Sequence, residues 1–295
     1  MDSLALGLDT LLIQLQVFVI NLYLSVLSWY TMTMIFLPIV VFGLGLIIGS
    51  FLNVVILRLN TGRSIATGRS ACARCSTKLS WYELIPVFSF LGLRGKCKTC
   101  KAPISFQYPL VELITAIVFV LLYMHTVLAQ SLSLFSLVAF VYSAVIASLL
   151  IVITVYDLRH TIIPNKIVYP FIILSLVGVV YKVATVAHFM TISALVAGPL
   201  LAAPFFFLWF LSKGKAMGKG DMKLALGIGW LVGIAGSITV FLLSFWIGAI
   251  VGLLLITVSN RYGMKSEIPF APFLIIALTI VTLFGVSIQT LFPLW

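Results

Sequence analysis

Charge is what this chain has least of. Only 8% of its 295 residues are Asp, Glu, Lys or Arg, where an average soluble domain carries about 25%. That shortage, together with 62% hydrophobic residues, excludes water as the sole solvent and implies a lipid bilayer. Acid is scarcer than base: seven Asp and Glu stand against eighteen Lys and Arg, a net charge of +11. On a soluble protein such an excess would point to nucleic acid. On a membrane protein it reads as basic cytoplasmic loops, and no nucleic-acid partner is expected. Three His and no H-E-x-x-H spacing leave no zinc-peptidase motif, and no Ser–Lys arrangement marks a nucleophile. Residues 1–30 hold no Lys or Arg, so the positive n-region of a cleavable signal is missing and the first apolar helix is expected to insert the chain.

What is present is apolar sequence in runs. A span takes about 20 mostly apolar residues, and such runs predict an all-α polytopic protein of about eight transmembrane helices. They fall at 34–57, 108–128, 134–156, 164–182, 189–211, 222–235, 237–258 and 271–292. The run 222–235 is short, with a turn expected near Gly233 and Gly236. Residues 1–33 form an N-terminal extension. Its apolar stretch 11–29 is interrupted by Gln14, Gln16 and Asn21 and ends near Trp29 and Tyr30, so it reads as interfacial or as an extra span, with the outer surface favoured. Threading the eight spans places seventeen of the eighteen Lys and Arg on one side and leaves Lys182 alone on the other. The positive-inside rule names the crowded side cytoplasmic.

Segment 58–107 is the one long polar stretch and is expected to form a small cytoplasmic subdomain. It contains all four cysteines, as Cys72-Ala-Arg-Cys75 and Cys97-Lys-Thr-Cys100. Two C-x2-C pairs offer four thiolates for tetrahedral zinc. Disulfides and free thiols are the alternatives, and a reducing cytoplasm disfavours the first. Four thiolates leave a metal no open position, so Cys72, Cys75, Cys97 and Cys100 are expected to hold structural zinc. The basic residues of this loop could also meet anionic headgroups.

The seven acids sort by position. Asp2 and Asp9 sit near the N-terminus, Glu83 lies in the cysteine loop as a packing or hydrogen-bonding residue, and Glu267 neighbours Lys265. Asp157, Asp221 and Glu112 each fall at or within the end of a span, where a carboxylate is expensive and marks function by default. Asp157 closes the span at 134–156, and Asp221 opens the one at 222–235 after Gly218-Lys219-Gly220. Both fall on the cytoplasmic side at similar depth. Two converging carboxylates can share a proton, one acting as base and the other as acid. The competing reading makes them ion-pair partners of Arg159 and Lys223.

At these residues the chain resembles the type IV prepilin peptidases, the leader peptidase/N-methyltransferase family of intramembrane aspartyl proteases. The resemblance runs from about residue 43 to 275 and is carried in order by several pieces. They are Gly49-Ser50-Phe51-Leu52-Asn53-Val54-Val55, the C-x2-C pairs, Tyr108-Pro109-Leu110-Val111-Glu112-Leu113, Asp157 with Ile163-Pro164, Gly218-x-Gly220-Asp221 with Lys223-Leu224, and Ile268-Pro269-Phe270-Ala271-Pro272-Phe273. It implies that Asp157 and Asp221 are catalytic, supported by Gly218, Gly220, Glu112 and Lys223, in an aspartyl peptidase core at 108–295. It implies a bacterial inner-membrane enzyme that cuts basic leaders from prepilins or pseudopilins on the cytoplasmic side. Many members with the cysteine loop then methylate the new N-terminus with S-adenosylmethionine; the alternatives are a peptidase without that activity and a non-enzymatic membrane scaffold. Two departures, Arg159 and Lys219, make this site more basic. Because Asp221 starts a helix and Asp157 ends one, the macrodipoles would make Asp221 the base and leave the proton on Asp157. Glu112 is expected to be a buried polar partner in the bundle or part of the methyl-transfer site.

Overall fold

The computed structural model describes residues 2–128, 132–185, 191–215, 217–258, 263 and 266–287. Among these the secondary structure is helical, with two isolated β-bridges. Helix α1 (Asp2–Thr31) passes through a π-helical turn at Met32–Phe36 into α2 (Leu37–Arg58). A polar loop with a short 3₁₀ turn, Trp81–Leu84, and a small helix α3 (Phe88–Gly92) leads to α4 (Gln107–Tyr123). Then come α5 (Leu134–His160), α6 (Asn165–Thr185), α7 (Thr191–Leu211), α8 (Lys219–Val258) and α9 (Ala271–Phe284). Six stretches among the described residues are long and apolar enough to cross a bilayer: Met34–Arg58, Gln107–Leu128, Leu134–His160, Asn165–Ala184, Ser193–Leu211 and Lys219–Val258. Their outward faces carry exposed Ile39, Ile47, Val141, Ile173, Phe207 and Leu253. Apolar surface on that scale suits lipid, not water.

Helix α8 is two arms joined at Gly233, whose φ of 74° and ψ of −175° are not helical. The arms double back. A Cβ on Gly229 would lie 2.4 Å from the Ala197 carbonyl oxygen, and Ser237 donates its hydroxyl to that same oxygen at 3.3 Å. Eight residues of straight helix would separate 229 and 237 by about 12 Å, so the chain reverses between them. Only glycine tolerates that φ without strain. The turn expected near Gly233 and Gly236 therefore lies at Gly233, and the two runs predicted at 222–235 and 237–258 are the two arms, divided three residues earlier.

Proline shapes the helix these arms pack on. Pro199 inside α7 has no N–H to give the Leu195 carbonyl. The Trp230 indole donates to that carbonyl instead at 2.9 Å, passing over Gly198, where a Cβ would collide with the ring. Backbone freed in lipid has to be repaired by a neighbour.

Two of the three packing groups among the described residues bear on the site. Leu52, Val55 and Val111 join Ile151 and Val152 in one core uniting α2, α4 and α5. Ile153, Phe171, Leu201, Phe205, Leu224 and Leu274 belong to the other, shared by α5 through α9. Helix α5 serves both.

Two boundaries differ from expectation. Helix α5 continues to His160, one turn past the predicted end, because hydropathy marks where lipid ends and not where a helix does, and Arg159 remains a good helix former in water. Helix α9 ends at Phe284 with Gly285 left-handed at φ 63°. The run expected to 292 therefore stops being helical earlier, and its last residues lie outside the described ones. Residues 11–29 are helical and continuous with α2, which assigns them neither to a surface nor to a span. Arg261 and Lys265 lie outside the described residues.

Candidate active site and cysteine cluster

The Asp157 side chain is buried, 4% exposed, one turn inside the end of α5. Its carbonyl accepts from the N–H of Thr161, the left-handed residue (φ 51°) that ends the helix. From there Ile162-Ile163-Pro164 crosses to α6, and Ile163 is buried. Gly220, in the first turn of α8, lies against it: a Cβ there would stand 2.7 Å from the Ile163 Cβ. This contact brings Asp221 beside the end of α5, within electrostatic reach of Asp157. Asp221 is half-buried and receives hydrogen bonds from the backbone of Gly218 and from its own N–H.

Of the two glycines, packing requires one. A Cβ at Gly218 would sit 3.5 Å from an Asp221 carboxylate oxygen, an ordinary contact. At Gly220 it would overlap Ile163.

The segment Ile268 to Phe273 has its role at Ala271. Pro272 follows at the start of α9, and the free N–H of Ala271 donates to Asp157 Oδ2 at 3.3 Å. Asp157 thus faces the N-terminus of α9 across the bundle, as Asp221 occupies the N-terminus of α8. The expectation that a helix C-terminus holds the proton on Asp157 loses its basis, because a second helix start offsets that field.

The competing ion pairs are not made. Lys223 turns to α6, donating to Asn165 Oδ1 at 2.8 Å and to the Tyr169 hydroxyl at 3.0 Å, with its ammonium 4.7 Å from that ring's centre. Arg159 is exposed. Lys223 therefore fastens α8 to α6 next to Asp221. Sequence reasoning offered only an aspartate as its partner, although Asn165 and Tyr169 stand four apart on one helix face.

A second polar site joins the Gly49–Val55 and Tyr108–Leu113 segments. Gly45 and Gly49 let α2 approach the α4 backbone, since Cβ atoms there would lie 2.5 Å from Ala116 Cα and 2.7 Å from Glu112 Cα. Close glycine faces at this spacing are how helices associate in lipid. Asn53, 1% exposed, donates to the carbonyls of Tyr108 (3.1 Å) and Gly49 (3.3 Å) and accepts from Gln107 Nε2 at 3.2 Å. Buried Glu112 hydrogen-bonds Ser50 of α2 and accepts the Val87 N–H from the loop at 2.7 Å. Glu112 is the pin between bundle and loop, away from the aspartates. A lone Asn within an apolar helix was the signal available for Asn53. Glu83 is a capping residue, its carboxylate accepting from the N–H of Ser80 at 2.8 Å.

The four cysteines converge: the Sγ atoms of Cys72, Cys75, Cys97 and Cys100 all lie within 4.8 Å of one another. They sit on two matching turns. Cys72 N–H donates to Thr77 O and Cys97 N–H to Ala102 O; Ser76 and Lys101, each just after the second cysteine, have φ of 56°. The chain thus builds the same turn twice and faces the two together. Hydrogen bonds from the Thr77 hydroxyl and backbone lower the Cys75 thiol to about 6, and the N–H groups of Cys100 and Thr99 lower Cys97. Cys100 receives the Ala102 N–H, yet desolvation and its neighbouring thiols push it up to about 11. Four thiolates this close need a cation to ionise together. Tetrahedral zinc with Zn–S bonds of about 2.3 Å sets sulfurs about 3.8 Å apart, and Cys72 and Cys100 stand at 3.8 Å. The residues fit a closed metal site.

Known proteins resemble this chain in sequence. A sequence model of the bacterial peptidase A24 N-terminal domain matches residues 43–126, and one of the type IV leader peptidase family matches residues 144–253. The chain is 34% identical to a prepilin leader peptidase/N-methyltransferase of Bacillus subtilis over 84% of this chain and 95% of that protein. For the Xanthomonas campestris protein of that name the figures are 33%, 82% and 90%. For the one from Myxococcus xanthus they are 34%, 77% and 65%, so the chain spans just under two thirds of that relative. No solved structure matches it. With relatives covered nearly end to end at such identity, the chain belongs to the type IV leader peptidase family.

Proposed function

We propose that this protein removes leader peptides from type IV prepilins or pseudopilins at the cytoplasmic face of the bacterial inner membrane, with Asp157 and Asp221 as a single catalytic dyad. The observation that carries the reading is their nearness: two of seven acids, sixty-four residues apart, come within electrostatic reach of each other at one edge of the bundle, beside the Gly220–Ile163 contact. A prepilin presents a basic leader followed by an apolar helix, so its scissile bond lies near the membrane surface, at the depth of the dyad.

In the reaction one carboxylate takes a proton from water as its oxygen attacks the scissile carbonyl carbon. The other gives its proton to the leaving amine. Ala271 N–H holds Asp157 still while Gly218 and the α8 start hold Asp221. Gly218, Gly220 and Lys223 position this half of the site, and Glu112 positions the loop.

The remaining parts follow the positive charge. With the arms of α8 counted separately and α9 included, eight helices from α2 onward cross the membrane and leave residues 58–107 and the dyad in the cytoplasm. The core at 108–295 is the peptidase, 34–57 the first main span and 1–33 an extension. Zinc in the tetrathiolate site would fix the two cysteine turns to each other and leave no position open for substrate. The relatives' name carries a second activity, and we assign it here too: methylation of the newly freed N-terminus with S-adenosylmethionine as methyl donor.

Membranes containing this protein, incubated with a prepilin and S-adenosylmethionine, should yield the shortened pilin and then its methylated form. A prepilin that stays full length in repeated trials with an inserted protein refutes the peptidase. Cleavage without methyl incorporation across several pilins refutes the second activity.

A further inference from the structure

The loop between α2 and α4 has an apolar side that the bundle does not cover. Trp81 is 76% exposed, Phe88 68% and Leu91 65%, although they lie in the most polar segment of the chain. Trp81 stands edge-on to Tyr82 at 5.8 Å. Residues this large are seldom left to water in one patch.

The loop's anchorage says what surrounds them. Val87, immediately before Phe88, is held through its N–H by Glu112 at 2.7 Å. Glu112 lies five residues into α4, which begins at Gln107, so it stands about 7.5 Å along the helix axis from that start. The hydrogen bond therefore ties the loop to the first turns of α4, at the end of a span. Interfacial helices bury their apolar faces at the headgroup–acyl boundary, and a loop fastened at the end of a span lies beside that boundary.

Charge supplies the second argument. Arg94, Lys96, Lys98 and Lys101 line a cleft of about 300 Å³ that shares Gly92 and Leu93 with the apolar side. Lys98 donates to the Tyr82 hydroxyl at 2.8 Å, which joins cleft and apolar face in one unit. Between residues 58 and 107 the sole acid is Glu83, and its carboxylate is used within the loop by Ser80. Cations beside an apolar aromatic face complement an anionic bilayer surface.

We propose that this face is a membrane-docking surface: Trp81, Phe88 and Leu91 lie among the acyl chains of the leaflet in which α2 ends and α4 begins, and the basic cleft binds anionic lipid headgroups. The cysteine turns are thereby held at a fixed height over the membrane. The inference is independent of the peptidase reading, since it uses only the spans, the Glu112–Val87 bond and the exposed side chains.

The test uses the full chain in nanodiscs of phosphatidylcholine with or without phosphatidylglycerol, made with lipids brominated at acyl carbons 6 and 7 or with plain lipids. The emission difference between wild type and Trp81→Phe isolates the Trp81 indole. Its emission should fall by at least half with brominated lipid, resist aqueous iodide, and be quenched more strongly when phosphatidylglycerol is present and salt is low. Hydroxyl-radical labelling of the unaltered protein supplies a measurement without a variant, and Phe88 should be labelled severalfold less in nanodiscs with phosphatidylglycerol than in detergent. An indole quenched freely by iodide and untouched by brominated lipid overturns the proposal. Equal quenching without phosphatidylglycerol overturns its headgroup half. Protection that arises only after a prepilin is added makes the face a peptide-docking surface and also overturns it.

Discussion

The contact between Gly220 and Ile163 is a single point at which the proposed dyad can be put out of register without touching either carboxylate. In Gly220→Ala the new methyl would lie 2.7 Å from Ile163 Cβ and 3.2 Å from both its Cγ1 and Cδ1. Carbon atoms rest at about 3.5–4.0 Å, so the start of α8 and the Ile163-Pro164 segment must separate by about 1 Å. Ile163 is buried and Pro164 stiffens the backbone beside it, so neither side swings away freely. Overpacking of this kind costs about 1–3 kcal/mol, which a helical bundle of this size should survive. Catalysis is less tolerant, since a displacement of about 1 Å reduces rate about 100-fold. The expectation is normal membrane insertion and protein level with prepilin cleavage down about 100-fold. Ile163→Gly removes all three crowded atoms, so the double variant should cleave faster than Gly220→Ala alone, a coupling that a double-mutant cycle reads directly. The assay is the rate of leader removal from a purified prepilin, with inserted enzyme quantified in parallel. Gly220→Ala at near wild-type rate would refute the claim that this contact sets the dyad.

The other expectations are briefer. Asp157→Asn and Asp221→Asn should each abolish leader removal while the protein inserts normally, and the double variant should be no slower than either, as members of one unit are non-additive; near wild-type cleavage by either would rule out the dyad. Zinc binding to metal-stripped protein should release protons at pH 8, because Cys100, pushed up to about 11, enters the site protonated while Cys75, near 6, does not. Affinity should accordingly rise with pH between those values, and a pH-independent affinity measured by competition with a chelating dye would contradict the tetrathiolate site. Cys72→Ser with Cys97→Ser should lose the metal and lower protein level; full zinc content would exclude these ligands. Glu112→Leu leaves the Val87 N–H without its acceptor and should destabilise the loop by about 1–3 kcal/mol, seen as faster proteolysis between residues 81 and 94 while α4 stays inserted.

Most of the scaffold was legible because lipid imposes a simple code. Runs of about 20 apolar residues must be helices, and the boundaries drawn at 34–57 and 108–128 fall within one residue of the stretches Met34–Arg58 and Gln107–Leu128. The code reads solvent, not backbone. It therefore ended the third run at 156 where the helix continues to His160. The cysteine pairs were legible for a different reason: four thiolates at this spacing have few alternative uses, and the structure gathers them within 4.8 Å.

Much of what was hidden lies in backbone groups, which sequence does not label. Asp157 and Asp221 stand out as rare acids, but the N–H that meets Asp157 belongs to Ala271, 114 residues on, and nothing about alanine announces it. The same holds for the Leu195 carbonyl. Pro199 frees it, and Trp230 takes it. In each case a helix leaves a backbone group unmet and a distant residue meets it: Pro199 frees an acceptor inside α7, and the start of α9 leaves its first N–H groups free as every helix N-terminus does. The Asp157 carboxylate is the partner of the Ala271 N–H there. The segment Ile268 to Phe273, six apolar residues with no side-chain chemistry of their own, thus contributes to the site through its fold alone. Its proline-bounded helix start points the Ala271 N–H at an acid that would otherwise sit unpartnered at 4% exposure, and burying such a group without a hydrogen bond is what the membrane interior least allows.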